Sequence, residues 1–144
     1  MGEVRRVLCA SPAYLEKFGT PQLPADLAKH AIIASSAVSP HTEWRFQSDG
    51  EPLLVRMDPR LTVTSNDAAL AAATGGLGIA RLLSYQIWNE VDRDALRLIL
   101  EPFEEAPWPV HVVHREDKLG SSKVRRFIDE MVEYLRLQPT LNPK

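Results

Sequence analysis

The sequence predicts an α/β fold, because short strand patterns and helix patterns alternate along its 144 residues. Residues 61–64 are rich in the β-branched side chains that favour strands. Residues 65–76 follow with a polar start, a run of alanines and two glycines, which is typical of a short helix. In residues 121–137 the apolar side chains recur at the i, i+3, i+4 and i+7 spacing of a helix with one buried face.

The first elements are predicted from apolar runs and from their bounding residues. Residues 4–10 read as a strand with a central apolar run. Ser11-Pro12 then predicts a helix start, because serine caps a helix well and proline suits its first turn. Gly19 ends this helix, and a second short helix is predicted over residues 23–28. A strand–helix–helix order therefore opens the chain.

A hairpin is predicted in the next part of the chain. A brief buried strand over residues 32–34 leads into a loop over residues 38–42. Apolar and polar side chains alternate over residues 44–47, and residues 53–57 read as the partner strand. Between them, the Ser-Asp-Gly sequence of residues 48–50 has the composition of a tight turn.

From residue 77 onward, short strands and two helices are predicted. A strand over residues 77–80 precedes a helix over residues 84–91. Further strands are predicted over residues 96–100 and 108–113, before the final helix. The polar residues 91–94 separate the first part of the chain from this tail, and we expect a lobe boundary there.

Composition excludes several classes of protein. The chain is 44% hydrophobic and 25% charged, as in ordinary globular proteins, and its net charge of −2 creates no basic field that would bind DNA by itself. It has no run of the roughly 20 apolar residues that a membrane span needs. The first residues contain no apolar signal core, so we expect a cytoplasmic protein. The single cysteine, Cys9, forms no intrachain disulfide and reads as a small buried side chain.

Candidate ligand-binding residues lie at predicted helix starts that directly follow strands. They are Ser11, Thr64, Ser65 and Asn66. Ligands of open α/β sheets bind beyond the carboxyl ends of strands, where helix amino termini offer N–H groups and a positive dipole end. The alternative is that these residues only cap their helices. Asp67 opposes a carboxylate ligand through its own charge and suits a cationic or hydroxylated one.

Histidines and acidic residues support neither a metal site nor catalysis. His111 and His114 are three apart on a predicted strand, so their side chains face opposite ways and do not share an ion. Because His114 ends that strand, it is the better candidate for a ligand cleft. Glu104 and Glu105 lie in a proline-rich loop, which is a poor place for a rigid acid–base pair. We therefore expect no enzyme activity, metal or cofactor.

Four segments, taken in order, resemble the effector-binding domain of LysR-type transcription regulators. They are RRVLCASPAYLEKFGTPQLPADLAKH (residues 5–30), WRFQSDG (44–50), LTVTSNDAALAAATGGLGIARL (61–82) and WPVHVVHREDKLGSSKVRRFIDEMVEYL (108–135). Each motif is weak alone, but their common order and spacing are specific. One departure is Leu82-Leu83, where many relatives have a proline.

The resemblance implies a type 2 periplasmic-binding-protein-like fold, with two α/β lobes around a cleft. Residues 1–9 would be a crossover strand and residues 10–92 the complete second lobe. Residues 93–144 would be a strand–strand–helix part that returns to an incomplete first lobe. We expect the exposed apolar face of this incomplete lobe to be covered by another chain, or to leave the tail poorly ordered.

The resemblance also implies a function. A small-molecule effector of unknown identity would bind between the lobes at Ser11, Thr64, Ser65, Asn66 and His114. DNA would be bound only by a winged helix-turn-helix, which does not precede Met1 in this sequence. Family members usually pair their effector domains, so we expect a homo-oligomer without membrane contact. The alternatives are a fragment of a solute-binding protein and a stand-alone oligomerisation module.

Overall fold

The computed structural model describes residues 2–37, 43–115 and 121–142, so the predicted loop over residues 38–42 lies outside the described residues. The strands are β1 (Glu3–Val4), β2 (Arg6–Ala10), β3 (Ile32–Ser35), β4 (Glu43–Ser48), β5 (Glu51–Arg56), β6 (Leu61–Val63), β7 (Ile79–Leu83), β8 (Arg97–Ile99) and β9 (Trp108–Pro109). The α-helices are α1 (Pro12–Phe18), α2 (Asn66–Thr74), α3 (Trp88–Asp92) and α4 (Ser122–Arg136). Short 3₁₀ helices cover Pro24–Lys29, Ser84–Gln86 and Glu101–Phe103.

The chain forms two compact units whose borders differ from those of the predicted lobes. One unit is Arg5–Ala106, and the other joins Met1–Val4 to Pro107–Lys144. The predicted divisions after residues 9 and 92 fall inside the first unit. The reason is that β2 and β8 pair with each other, which keeps the segment after residue 92 in the same sheet.

The larger unit contains a five-stranded sheet in the order β6-β3-β7-β2-β8. β3 is parallel to β6 and β7, whereas β2 is antiparallel to both β7 and β8. Four strands therefore share one direction, and β2, which lies between β7 and β8, is antiparallel to them. As a consequence, the carboxyl ends of β3, β6 and β7 lie at one edge of the sheet, and the carboxyl end of β2 lies at the opposite edge.

Each face of this sheet is covered by an apolar cluster. One face of the sheet packs against α1 and the β4–β5 hairpin; its buried side chains include Leu8, Tyr14, Trp44, Phe46, Ile79 and Ile99. The other face packs against α2; its buried side chains include Cys9, Ile33, Ala69, Ala73, Ala80 and Leu82. Successive side chains of a strand point to opposite faces, so β2 and β7 supply both clusters.

The hairpin is confirmed, and its turn explains the Asp-Gly sequence. Asp49 and Gly50 both have positive φ, 52° and 78°, as the two central residues of a type I′ turn require. Trp44 and Phe46 alternate with exposed residues along β4 and point into the core. The burial pattern of β4 therefore follows the predicted alternation of apolar and polar side chains.

Two predicted elements of the tail are shorter than expected. The predicted helix over residues 84–91 is a 3₁₀ turn followed by α3, with the joint at Ile87, which is only 1% exposed. The predicted strand over residues 108–113 is observed only at Trp108–Pro109, which pairs with β1. Beyond it, the amide of Val110 donates to the carbonyl oxygen of Gly2 at 2.8 Å.

The final helix is confirmed, but its predicted face is not buried. α4 belongs to the smaller unit and begins after Ser121. Phe127 is 61% exposed, and the other members of the apolar stripe are only half-buried: Val124, Ile128, Met131 and Leu135. The described part of the chain thus leaves this stripe largely uncovered. Among the described residues, no helix is long and apolar enough to cross a membrane.

Candidate functional site at the carboxyl ends of parallel strands

Polar residues collect where β3 and β6 end. β3 ends at Ser35, and Thr64 and Ser65 connect β6 to α2, which begins at Asn66. Ser65 is the N-cap of α2, because its Oγ accepts a hydrogen bond of 3.2 Å from the amide of Ala68. The predicted capping role is thereby confirmed. Thr64 and Ser65 are exposed, so their hydroxyls remain accessible.

Asn66 links three elements at this edge. The Ser35 hydroxyl donates to Asn66 Oδ1 at 2.9 Å, and Asn66 Nδ2 donates to Gln86 Oε1 at 3.2 Å. Gln86 Oε1 also accepts from the amide of Leu83, at 3.2 Å. The network therefore joins β3, α2 and the end of β7. Sequence reasoning missed Ser35 and Gln86, although each is a polar residue at or just beyond a strand end.

The chemistry of this edge is that of hydrogen bonding. The first amides of α2 have no acceptor within the helix, and they lie at the positive end of its dipole. Hydroxyl and amide side chains surround them, with Asp67 exposed in the first turn. The arrangement can hold a small polar molecule by several hydrogen bonds. It supplies no pair of acid and base suited to catalysis.

Ser11 lies at the other edge of the sheet. It caps α1, accepting a 3.1 Å hydrogen bond from the amide of Tyr14, and it is only 4% exposed. A Cβ atom added at Gly76, after the end of α2, would lie 3.4 Å from Ser11 Oγ. Ser11 is thus near the end of α2, while residues 64–66 are at its start. The antiparallel direction of β2 separates residues that sequence reasoning had grouped.

His114 has a different setting from the one predicted. It belongs to the smaller unit and is exposed, five residues beyond the end of β9, so it does not end a strand. Its Nδ1 is 3.5 Å from the carbonyl oxygen of Arg115. His111 is exposed as well. Within residues 2–37, 43–115 and 121–142, no group of three or more His, Cys, Asp or Glu side chains is placed to hold a metal ion.

Glu104 and Glu105 form ion pairs with a cluster of arginines. Arg5 pairs with Glu104 at 3.1 Å, and Glu105 pairs with Arg6 and, at 3.4 Å, with Arg81. Burial is the main cause that lowers the pKa of Arg81 to about 10, with Arg6 adding repulsion. Burial also raises the pKa of Glu104, an effect that Arg5 opposes. These carboxylates are held in ion pairs, which indicates a structural role.

Arg81 is additionally fixed by the hairpin that covers it. Its Nη2 donates to the carbonyl oxygen of Arg45 at 2.7 Å, and its guanidinium lies 5.5 Å from the ring centroid of Phe46. The hairpin is therefore tied to the sheet by a buried cation as well as by apolar contacts.

Cys9 is not placed for nucleophilic chemistry. Its side chain is fully buried, and its Sγ lies 3.7 Å from the carbonyl oxygen of Ala80. Burial raises the pKa of the Cys9 thiol to about 12, so the thiolate that reacts with electrophiles is scarce near neutral pH. This agrees with its interpretation as a small buried side chain.

Comparison with known proteins identifies the family. The family model described as "LysR substrate binding domain" matches residues 1–136. The chain is 29% identical over 136 residues to the HTH-type transcriptional activator AaeR of Escherichia coli K12, covering 93% of this chain and 43% of AaeR. It therefore spans less than half the length of that relative.

Solved structures agree with this match. The regulatory domain of CrgA from Neisseria meningitidis is 29% identical, with a TM-score of 0.74 over 92% of this chain and 65% of that domain. The regulatory domain of AphB from Vibrio vulnificus is 26% identical, with a TM-score of 0.76 over 93% of this chain and 66% of that one. The fold is the type 2 periplasmic-binding-protein-like α/β fold of these regulatory domains, and the chain belongs to the LysR substrate-binding domain family.

Proposed function

We propose that this chain is the effector-sensing part of a LysR-type transcription regulator, and that a small molecule binds at the edge where β3, β6 and β7 end. The observation that carries the proposal is the Ser35–Asn66–Gln86 network beside the amino terminus of α2. Such strand ends are where open α/β sheets bind ligands. Thr64 and Ser65 add exposed hydroxyls there. The proposed site does not include Ser11, because Ser11 lies at the opposite edge of the sheet. The participation of His114 stays a prediction.

The two compact units correspond, in this proposal, to different lobes. Arg5–Ala106 would be the whole second lobe, including β8, and the unit with α4 would be the returning part of the first. The remainder of the first lobe would then cover the apolar stripe of α4. In support, the chain covers 65% of the CrgA regulatory domain but only 45% of complete CrgA.

In the complete protein, we expect DNA binding by a winged helix-turn-helix and assembly into a homo-oligomer in the cytoplasm. The name of AaeR, an HTH-type transcriptional activator, supports this assignment. The effector would act by binding more tightly to one of two arrangements of lobes or subunits, and so shift their populations. No enzyme activity, cofactor or metal is needed for that mechanism.

The proposal is tested with Ser65→Ala and Asn66→Ala in the complete regulator. Effector-dependent reporter expression should require about 5- to 150-fold more effector in Asn66→Ala, because a lost hydrogen-bonding group in a binding site typically removes about 1–3 kcal/mol. Basal DNA binding, measured by gel shift without effector, should be unchanged.

Ser11→Ala is the matched control. Ser11 also caps a helix of the larger unit, but at the opposite edge of the sheet, so this variant loses a cap without changing the proposed site. Each lost cap should lower the free energy of unfolding by about 1 kcal/mol. An unchanged effector dose response in Asn66→Ala and Ser65→Ala, or an equal loss of response in Ser11→Ala, would contradict the assignment.

A further inference from the structure

A cavity of about 370 Å³ lies in the larger unit, away from the edge described above. It is lined by Tyr14, Lys17, Phe18, Lys29, Ala31, Arg60, Gly76 and Leu77. Ala31 directly precedes β3, Arg60 directly precedes β6, and Gly76 follows α2. These are amino ends of parallel strands and the carboxyl end of a helix, so the cavity is at the opposite edge from Asn66.

Three cationic side chains from three separate segments line this cavity. Lys17 is in the last turn of α1, Lys29 ends the first 3₁₀ helix, and Arg60 is held next to β3 because its amide donates to the carbonyl oxygen of Ile32 at 2.9 Å. In the described ranges, none of the three has a carboxylate within ion-pair distance, and no acidic residue lines the cavity. The cluster therefore carries positive charge that nearby acids do not neutralise.

Asp26 interacts electrostatically with Lys29, but its carboxylate is already engaged in hydrogen bonds. Its Oδ2 accepts hydrogen bonds from the amides of Gln22 and Leu23, at 3.1 and 3.0 Å. It interacts with Lys29 only at longer range, through its charge. Asp26 thus stabilises its own turn, and it does not form a direct ion pair with Lys29.

Tyr14 forms the floor of the cavity and is held by hydrogen bonds and ring contacts. The Tyr14 hydroxyl accepts a hydrogen bond from the amide of Ala31 at 3.0 Å and lies 2.9 Å from Nδ1 of His30. Tyr14 is buried and its ring packs against Phe18, with centroids 4.8 Å apart.

The walls of the cavity are apolar and open to solvent. Phe18 is 57% exposed and Leu77 is 59% exposed, although both are large hydrophobic side chains. The Lys17 ammonium lies 5.3 Å from the Phe18 ring centroid, so charge and apolar surface are adjacent. The volume is within the roughly 300–1,000 Å³ range of small-molecule sites.

From this combination we infer a second ligand site, distinct from the edge at Asn66, that binds a small organic anion with an apolar body and one carboxylate. The carboxylate would lie among Lys17, Lys29 and Arg60, and the body would cover Phe18 and Leu77. Arg60 can contact a carboxylate through two N–H groups at once. Inorganic anions lack the body that Phe18 and Leu77 would contact, and neutral analogues lack the charge.

The test is a titration of the 144-residue chain with sodium benzoate, followed by amide chemical shifts at constant ionic strength. Benzyl alcohol serves as the neutral analogue and sodium phosphate as the anion without an apolar body. Benzoate should give saturable shifts at Ala31, Gly76 and Leu77, and its dissociation constant should be at least about tenfold lower than that of either comparison compound.

Charge variants locate the binding. Lys17→Gln/Arg60→Gln should weaken benzoate binding about tenfold, as expected for the loss of two partly exposed ionic contacts. The control, Lys123→Gln/Arg125→Gln, removes the same net charge from exposed positions of α4 that do not line the cavity. It should leave the affinity unchanged, and a thermal melt of each variant checks that it is folded.

Several results would overturn the inference. Equal binding of benzyl alcohol would show that charge is not recognised, and equal binding of phosphate would show that the apolar walls are not used. Benzoate shifts centred on Ser65 and Asn66 would place the ligand at the other edge. Unchanged affinity in Lys17→Gln/Arg60→Gln, or no saturable shift with benzoate, would remove the site.

Discussion

We expect Gly78→Ala to destabilise this fold more than alanine at any other glycine, because the added Cβ atom would have the shortest contact there. A Cβ atom there would lie 2.4 Å from the carbonyl oxygen of Ala31 and 3.0 Å from its carbonyl carbon. That oxygen cannot move away freely, because it accepts the 2.9 Å hydrogen bond from the amide of Ile79 that joins the starts of β3 and β7. Gly78 also has a φ of 157°, which L side chains rarely adopt.

The expected effect of Gly78→Ala follows from these two terms. An unfavourable backbone conformation costs about 1–3 kcal/mol, and forcing an extra carbon into a packed site costs a further 1–3 kcal/mol or so. We therefore expect the free energy of unfolding to fall by about 4 kcal/mol. For a unit of this size, that lowers the melting temperature by roughly 20 °C.

The measurement is urea unfolding followed by circular dichroism, with Gly50→Ala as the matched control. Gly50 also has positive φ, 78°, but a Cβ atom there would have no neighbour within 4 Å. Its substitution should therefore show the conformational term alone, about 1 kcal/mol. If Gly78→Ala is no more destabilising than Gly50→Ala, the close approach of Gly78 to Ala31 is refuted.

Two further predictions concern Glu104 and α4. Burial raises the pKa of Glu104, so the folded protein favours the neutral carboxyl. The stability that this preference contributes is present below the unfolded pKa of about 4.5, and it is lost as pH rises through the raised pKa of the folded state. Glu104→Gln should therefore be more favourable relative to wild type at pH 7 than at pH 4, in urea unfolding at both pH values; the opposite trend would exclude a raised pKa. Since no side chain of α4 is fully buried, whereas four of the five residues of β2 are, the amides of α4 should exchange with solvent more than about tenfold faster than those of β2 in the 144-residue chain. Equal protection of α4 and β2 in a monodisperse monomer would show that α4 needs no further covering segment.

Local features of this fold were predictable because neighbouring residues decide them. The turn at Asp49-Gly50 needs two residues that tolerate positive φ, and both are adjacent in the sequence. The caps at Ser11 and Ser65 each require a hydroxyl and an amide three residues later, at Tyr14 and Ala68. Both partners of such an interaction lie within a few residues of each other, so composition and spacing are sufficient to predict it.

Other features depend on pairing between distant segments. β2 and β8 join residues about 90 apart, and this pairing placed the border of the compact unit after Ala106 instead of residue 92. Likewise, β9 pairs with β1, so that Pro109 lies opposite Glu3. The local sequence of a strand does not predict which distant strand will pair with it.

The sequence by itself determined the α/β class, most helix starts, the hairpin and the membership of a family whose motifs occur in order over nearly the whole chain. The tertiary structure decided how the candidate residues are distributed. It placed Ser11 and Asn66 at opposite edges, because β2 runs against its neighbours, and it brought Ser35, Asn66 and Gln86 together across 51 positions of the chain. The physical reason is that helix caps and turns are satisfied locally, whereas strand direction and the convergence of polar groups arise only when distant segments pair to bury their apolar faces.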